Sequence, residues 1–254
     1  MKPRPVALFV IVAFVLLAHS AMAKESVINT CYSDWRPFTY IEKDGSKGLT
    51  IEIYDKAALL AGLKLKYTKQ PWARCLREFT AGKYDAIADG DAGMANAISP
   101  NMRPILWIAM FWVHNNSTLK AFTGYSTFNG KVVGFGRDFT YPNEFLSFKQ
   151  FAGKAAVKND LQGLKMLDRK RIDAYFGDYF NALYYKDKLG LNIRYLLPAQ
   201  ISRLSLVFSL NKSQANKQFE AAIAKMLESG EIDDLYRKHL GVSYHGILEQ
   251  FGKD

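Results

Sequence analysis

The first part of the chain alternates short apolar runs with stretches in which apolar residues recur at helical spacing. A two-residue alternation is typical of a half-buried strand, whereas a spacing of three and four is typical of an amphipathic helix. The helical stretches stop at Gly62 and Gly82, where glycine favours a helix end. These patterns predict strand 27–31, helix 51–61, strand 63–67, helix 71–79 and strand 83–88. This β-α-β-α-β order favours a mostly parallel α/β sheet.

The same order of elements recurs in the middle of the chain, and helices follow it. The patterns predict strand 131–135, helix 141–151, strand 155–157, helix 160–167, strand 172–176, a helix capped by Ser213 and helix 232–240. Residues 82–87 and 170–175 share the order basic, apolar, Asp, Ala, apolar, which indicates two similar α/β lobes. No low-complexity linker separates these lobes, as hinge closure about short ordered connections requires.

The first 23 residues have the layout of a secretory signal peptide. Basic residues precede the apolar run 6–17, and Ala-Met-Ala at 21–23 is a small-x-small cleavage signal. The apolar run is shorter than the roughly 20 residues of a transmembrane helix. We therefore predict a periplasmic protein whose mature chain begins near Lys24, with an uncleaved anchor as the alternative.

The chain is basic, with 34 Lys and Arg against 24 Asp and Glu and a formal charge of +10. The basic residues are scattered, with the densest run at 169–171, and an exported protein rarely meets nucleic acid. We therefore predict solvated basic faces and no nucleic-acid partner, while attraction to anionic solutes stays open.

Two cysteines, Cys31 and Cys75, remain in the predicted mature chain. In an oxidising compartment an even number of cysteines indicates a disulfide, although two buried thiols are the alternative. The sequence shows no metal-ligand spacing, no Ser/His/Asp order and no Cys–His pair. We therefore predict no metal site, no cofactor and no catalysis.

Seven short segments, each weak alone, resemble a known family when taken in order. They are 35–38 (WRPF), 48–53 (GLTIEI), 71–76 (PWARCL), 82–87 (GKYDAI), 130–134 (GKVVG), 172–178 (IDAYFGD) and 228–236 (ESGEI followed by LY). The chain is similar to the extracellular solute-binding proteins of family 3, which serve polar amino-acid ABC transporters. This resemblance implies a two-lobed periplasmic-binding-protein fold of the α/β class, with two crossing strands and a central ligand cleft.

The resemblance also implies where the lobes divide. Lobe 1 is expected from 24–114 plus 204–254, and lobe 2 from 115–203, with crossings near 115–116 and 201–202. The expected partners are a small-molecule ligand, an amino acid or similar compound, and an ABC permease in the inner membrane. The protein is expected to be a monomer.

Residue by residue, the resemblance implies a site for an amino-acid zwitterion. Trp35 and Trp72 match positions that cover the apolar part of the ligand. Thr140 matches a hydroxyl that contacts a carboxylate, and Asp178 matches the acid that receives the α-ammonium group. Arg103 is the candidate for the guanidinium that clamps the carboxylate.

The arginine assignment departs from the family pattern. An apparent insertion at 89–96 separates the Asp-Ala strand from Arg103, and Pro100 stands where the family has Thr. Arg74 is therefore an alternative clamp, or a solvated helix residue.

Other site residues have structural alternatives. Asp178 could instead cap a helix starting at Tyr179. Trp72 could pack in the core instead of contacting ligand, and Trp107 and Trp112 are predicted core residues. The acidic segment 89–91 is predicted to be a loop turn, although cation binding is conceivable.

Two other functions compete with transport. A periplasmic dehydratase acting on prephenate or arogenate would use the same fold with an acid over the leaving hydroxyl. A ligand-loaded partner of a membrane sensor is the other alternative. The sequence favours a binding protein for an ABC importer over both.

Overall fold

The computed structural model describes residues 26–137 and 139–252, and its main feature is an eight-stranded mixed sheet. The strands of the chain are β1 Ser26–Tyr32, β2 Tyr40–Glu42, β3 Gly45–Lys47, β4 Leu63–Lys69, β5 Ala86–Gly90, β6 Ile105–His114, β7 Val132–Gly136, β8 Gly153–Val157, β9 Ala174–Asp178 and β10 Ile193–Phe208. The sheet order is β4-β1-β5-β10-β6-β9-β7-β8, and β2 and β3 form a separate hairpin. The predicted signal peptide, 1–23, lies outside the described residues.

Eight helices accompany the sheet in the described part of the chain. They are α1 Leu49–Leu60, α2 Trp72–Thr80, α3 Asn143–Ser147, α4 Asp160–Asp168, α5 Tyr179–Leu189, α6 Ser213–Glu228, α7 Glu231–Leu240 and α8 Tyr244–Phe251. None of these described helices is long and apolar enough to cross a bilayer. The predicted α/β class is confirmed, and the predicted strands and helices occur in the predicted order; β2, β3, β6, β10 and α8 were not predicted.

Several predicted boundaries were wrong, among them the strand predicted over 83–88, because β5 begins only at Ala86. The helix predicted over 141–151 covers only α3, because Phe148 turns extended and its ring packs against Phe151 at 4.7 Å. Strand β9 begins at Ala174 rather than 172. Ser213 is the first residue of α6 and not its cap.

Two parallel groups of strands lie on either side of a central antiparallel pair. β4, β1 and β5 pair in parallel on one side, and β9, β7 and β8 pair in parallel on the other. Between them β6 pairs antiparallel with β10, which also pairs with β5. The sequence patterns predicted neither central strand. Strand β6 is buried on both faces and has no polar alternation to reveal it, whereas β10 is exposed or half-buried over much of its length and has no regular alternation.

The predicted internal repeat is confirmed by matching hydrogen bonds at the amino ends of the two parallel groups. Asp85 accepts from the Asn29 amide at 2.8 Å, and its own amide donates to the Asn29 carbonyl at 2.8 Å. Asp173 makes the same exchange with Val132, at 2.8 and 2.9 Å. In each half an aspartate therefore holds the start of the first parallel strand against the third.

Candidate functional site

The segment 33–38 follows β1 and presents Trp35 at the carboxyl end of the first parallel group. The Trp35 ring stacks on Phe38 with centroids 4.0 Å apart. The amides of Leu49 and Thr50 donate to the carbonyls of Pro37 and Phe38, so the segment accepts the free donors of the first turn of α1. Gly48 allows this approach, because its φ is +118° and a Cβ there would collide with the 37–38 backbone.

Trp72 is placed by the disulfide between Cys31 and Cys75, which confirms the predicted pairing. Cys31 lies in β1, four residues before Trp35, and Cys75 lies in α2, three residues after Trp72. Both sulfurs are buried beside Phe79. The disulfide therefore fixes the strand and the helix that carry these two tryptophans to each other.

A cavity of about 560 Å³, including space open to solvent, lies where the carboxyl ends of both parallel groups meet. Ligands in open α/β sheets bind outside the carboxyl ends of the strands. The first half and the central strands contribute Ser33, Trp35, Trp72, Asp89, Asp91, Trp107 and Leu204, and the second half contributes Phe139, Thr140 and Asp160. Of the predicted ligand contacts, the structure brings Trp35, Trp72 and Thr140 together around this space.

Asp89 is a cavity residue whose role the sequence patterns missed. It is the next-to-last residue of β5, with φ at +58°, and its buried Oδ1 has no hydrogen-bond partner in the described part of the chain. Burial raises the pKa of the Asp89 carboxyl to about 7, and the nearby hydroxyls of Thr39, Thr50 and Tyr54 offset this only in part. The loop turn predicted over 89–91 was wrong for Asp89 and Gly90, which belong to β5, and the segment supplies two carboxyl groups, Asp89 and Asp91, to the cavity.

Asp160 is the third carboxyl group of the lining and comes from the second half. It is 8% exposed at the start of α4, and its Oδ1 accepts from the Tyr175 hydroxyl at 2.7 Å. Burial raises the pKa of this carboxyl, while the Tyr175 hydrogen bond lowers it. Gly177 leaves room for both side chains, since a Cβ there would press on the Tyr175 ring and on Asp160. No sequence pattern distinguished Asp160 from a helix-start residue.

Asp178 is buried, with 2% exposure, and caps α5 as the structural alternative stated. Its Oδ1 accepts from the Asn181 amide at 2.7 Å and its Oδ2 accepts from the Ile108 amide at 3.1 Å. Burial raises the pKa of Asp178 to about 7 against these hydrogen bonds and the Trp35 side chain. The capping role is thus observed, and the predicted ammonium contact stays a prediction.

The two candidate clamps lie in different surroundings. Arg103 lines a second, adjoining cavity with Arg203, and this cavity shares Asp91 and Thr140 with the first. Arg74 lies on the exposed side of α2, with its Nε 3.8 Å from Glu78. Arg103 is therefore nearer to the candidate site than Arg74.

The segment 33–38 also contacts α5 of the second half. The Asn181 side-chain amide donates to the Arg36 carbonyl, and the rings of Phe38 and Phe180 lie 6.1 Å apart, edge to face. The Arg36 guanidinium lies 5.8 Å from the centre of the Tyr184 ring. These contacts connect the segment that carries Trp35 with α5 of the second half.

The tryptophans of the central strand β6 divide between core and cavity. Trp112 is fully buried, as predicted, whereas Trp107 is half-buried and lines the cavity. The two residues are five apart and therefore face opposite sides of the strand. Recognising 105–114 as a strand would have separated them.

Comparison with known proteins agrees with this geometry. A family model described as bacterial extracellular solute-binding proteins, family 3, matches residues 28–92. No curated protein sequence matches the chain. Many solved structures do.

Three of these solved structures illustrate the likeness. A histidine kinase sensor domain with similarity to periplasmic binding proteins is 16% identical, with a TM-score of 0.76 over 86% of this chain and 98% of that one. The substrate-binding protein of an amino acid ABC transporter is 18% identical, with a TM-score of 0.70 over 85% of this chain and 100% of that one.

The third is the arginine-, lysine-, histidine-binding protein ArtJ from the thermophilic bacterium Geobacillus stearothermophilus. It is 17% identical, with a TM-score of 0.72 over 91% of this chain and 100% of that one. Likeness at such identity concerns the fold. The chain therefore has the two-lobed fold of periplasmic binding proteins, and its resemblance to family 3 of the bacterial extracellular solute-binding proteins is confirmed over residues 28–92.

Proposed function

We propose that this protein is a periplasmic solute-binding protein that captures a small polar ligand, an amino acid, and delivers it to an ABC importer in the inner membrane. The observation that carries the proposal is the cavity walled by both halves of the molecule. Trp35 and Trp72 approach it from one side, and Thr140 and Asp160 approach it from the other. A concave site with aromatic walls and a few polar groups is the usual form of a small-ligand site.

Closure around the ligand is part of the proposal. Lobe 1 would comprise 24–114 plus 204–254 and lobe 2 would comprise 115–203, with β6 and β10 as the crossing strands. The contacts between the segment 33–38 and α5 would then be contacts between the two lobes, and they support a closed arrangement. Ligand binding would favour this closed arrangement over an open one.

Binding and closure can be measured together. The protein is unfolded to release bound molecules, refolded, and titrated calorimetrically with the twenty amino acids, and the released molecules are identified by mass spectrometry. We expect one chemical class to bind, and a hundredfold excess over Kd to stabilise the fold by about 2.7 kcal/mol. Small-angle scattering should show a smaller radius with ligand. A protein that releases no small molecule and binds none of the panel would contradict a solute-binding role.

Within this proposal Trp35, Trp72 and Thr140 contact the ligand, and Arg103 meets an anionic group at the entrance to the adjoining cavity. The predicted roles of Arg74 and Asp178 stay predictions. Alanine at Trp35 should weaken binding more than alanine at Arg74, whose side chain is exposed and near Glu78.

A dehydratase remains the enzymatic alternative, because a cavity carboxyl with a pKa near 7, such as Asp89, suits a general acid. Three acidic side chains line the cavity, however, and prephenate carries two carboxylates that they would repel. We therefore expect no turnover of prephenate or arogenate by the purified protein, followed by the absorbance of the aromatic product.

The partner of the loaded protein is the other open choice. The sensor domain among the structural neighbours favours a membrane sensor as a second candidate. Loss of ligand uptake in cells that lack this gene would support the importer. Normal uptake with loss of a ligand-dependent transcriptional response would support the sensor instead.

A further inference from the structure

The cavity has the opposite charge sign to the chain around it. The chain carries 34 basic and 24 acidic residues. Among the described side chains that line the cavity, three are aspartates and none is Lys, Arg or His; the aspartates are Asp89, Asp91 and Asp160. Because the protein as a whole repels cations, any preference for a cation must come from these local carboxyl groups.

One of these carboxyl groups, that of Asp89, has an oxygen that makes no hydrogen bond within the described residues, although three hydroxyl groups lie near the group. The buried Oδ1 of Asp89 accepts no hydrogen bond from the described residues, whereas both oxygens of Asp178 accept backbone amides. A buried acceptor without a donor is costly, and a ligand donor would remove that cost. Asp89 is therefore better placed than Asp178 to take a proton-bearing group from a ligand.

The remaining walls suit an organic cation. Trp35, Trp72 and Trp107 line the same space, and the face of an indole ring attracts an ammonium or guanidinium group. The carboxyl groups do not form a chelating set, since no group of three His, Cys, Asp or Glu side chains between residues 26 and 252, position 138 aside, is arranged to hold a metal ion. A bulky cation with several N–H donors fits this arrangement better than a metal ion does.

We propose that the cavity selects a ligand whose side chain bears an ammonium or guanidinium group, in addition to any α-ammonium group, and binds that side-chain cation at Asp89, with Asp91 and Asp160 nearby and tryptophan faces around it. This inference rests on the proposed function and names the class of its ligand. The adjoining cavity with Arg103 and Arg203 provides the place for an anionic end, reached across Asp91 and Thr140.

Pairs of ligands that differ in charge but little in shape provide the first test. Calorimetric titrations at pH 8 would compare L-arginine with L-citrulline, and L-lysine with L-norleucine, using refolded protein free of bound molecules. Losing one partner of a buried charge pair typically weakens binding about 30-fold or more. We expect the cationic member of at least one pair to bind tighter by that factor. Agmatine lacks the carboxylate of arginine, so the difference between its affinity and that of L-arginine measures how much the carboxylate contributes to binding.

A matched pair of variants identifies the carboxyl group. Asp89→Asn keeps the shape of the side chain, and Asp187→Asn makes the same change on the exposed surface of α5. We expect Asp89→Asn to weaken binding of the cationic ligand at least tenfold. The ratio of the affinities for the cationic ligand and its neutral analogue should therefore fall. Asp187→Asn should leave both affinities unchanged, and melting curves confirm that both variants fold.

The outcomes separate this inference from the proposed function. Equal affinity for the charged and neutral members, or binding of only neutral or acidic amino acids, would overturn the cation site and leave solute binding intact. Binding of no compound in either panel would overturn both. Tight cation binding that is unchanged in Asp89→Asn would overturn the assignment of Asp89.

Discussion

The two parallel groups of strands are alike at their amino ends and differ at their carboxyl ends. At the amino ends, Asp85 and Asp173 make the same exchange with the neighbouring strand. At the carboxyl ends, the first group has a disulfide and the partly unpartnered Asp89, whereas the second has Asp178 with both oxygens bonded. The repeated ends specify a common scaffold, and the ends that differ line or border the cavity, so the candidate site lies where the repeat breaks.

The disulfide, which lies in the first group, should produce the largest difference in stability between the two groups. Closing a loop of 44 residues stabilises the fold by about 4 kcal/mol in the chain-entropy model. Cys31→Ser with Cys75→Ser should lower the free energy of unfolding by about this amount, measured by urea titration. Ligand affinity should also fall, because the link aligns Trp35 with Trp72. Full affinity in a folded double variant would show that packing alone aligns them.

The buried carboxyl groups at the carboxyl ends should make stability depend on pH. Burial raises the pKa of Asp89 and of Asp178 to about 7, so the folded protein holds these protons more tightly than the unfolded chain does. The stability that these two protonated carboxyl groups contribute is therefore fully present below about pH 4, and it is lost as the pH rises through about 7. At about 1.4 kcal/mol per pKa unit, Asp178 contributes at most about 4 kcal/mol.

Urea titrations between pH 5 and pH 8.5 would measure this dependence. Asp178→Asn should flatten the profile while keeping the cap of α5, since asparagine also caps well. Asp89→Asn should flatten it separately. A wild-type profile that rises with pH over this range would contradict the raised pKa values.

Asp85 and Asp173, the aspartates at the amino ends, should contribute different amounts to the free energy of unfolding. Asp85 also receives the Asn29 side-chain amide at 3.1 Å and pairs with Lys212 at 2.9 Å. Asp173 has the Val132 amide and an exposed side chain. We expect Asp85→Ala to cost about 2 kcal/mol and Asp173→Ala about 1 kcal/mol, measured by chemical denaturation. Equal losses of unfolding free energy in the two variants would mean that the hydrogen bonds with the neighbouring strand account for the whole contribution of each aspartate.

The smallest effect concerns the turns before these aspartates. Gly82 after α2 and Lys170 after α4 both adopt positive φ, +76° and +54°, and the next residues close matching turns. A side chain costs about 1 kcal/mol in this conformation. Gly82→Ala should therefore destabilise by about that amount, and Lys170→Gly should stabilise by somewhat less. Thermal melts of the two variants measure both changes in stability. Stabilisation by Gly82→Ala would contradict the strain argument.

The sequence predicted the parts of the fold whose patterns are local. Periodic helices such as α1 and α6, the alternating strand β4, the Asp85 and Asp173 repeat and the cysteine pair all follow from spacing and composition. The central strands did not follow, because β6 and β10 are defined by pairing between residues about a hundred positions apart. Their position in the sheet is a tertiary property.

The candidate site was predictable where aromatic residues stand in exposed loops, as Trp35 does, and less so where carboxyl groups gain their role from burial. Asp89 and Asp160 look like turn and helix-start residues in the sequence. The cavity at the carboxyl ends, formed by distant segments, determines their environment, and no spacing along the chain reports it.

The route of the chain through the sheet also constrains the order of assembly during synthesis. The second parallel group is complete once residue 178 has been made, because β7, β8 and β9 lie within one continuous segment. The first group is completed later in synthesis, because β5 pairs with residues near the end of β10. Strand β5 stays an open edge until Ser205–Phe208 arrive to pair with it, and the Leu106 amide finds its acceptor only with the Tyr236 hydroxyl.

A chain that leaves a ribosome or a translocation pore from its amino end therefore exposes an unpaired β5 for more than a hundred residues of growth. Unpaired edges invite contacts between chains. A pulse-proteolysis time course should accordingly find the interval 132–178 protected before the interval 86–90, and chains truncated before β10 should be the ones that aggregate.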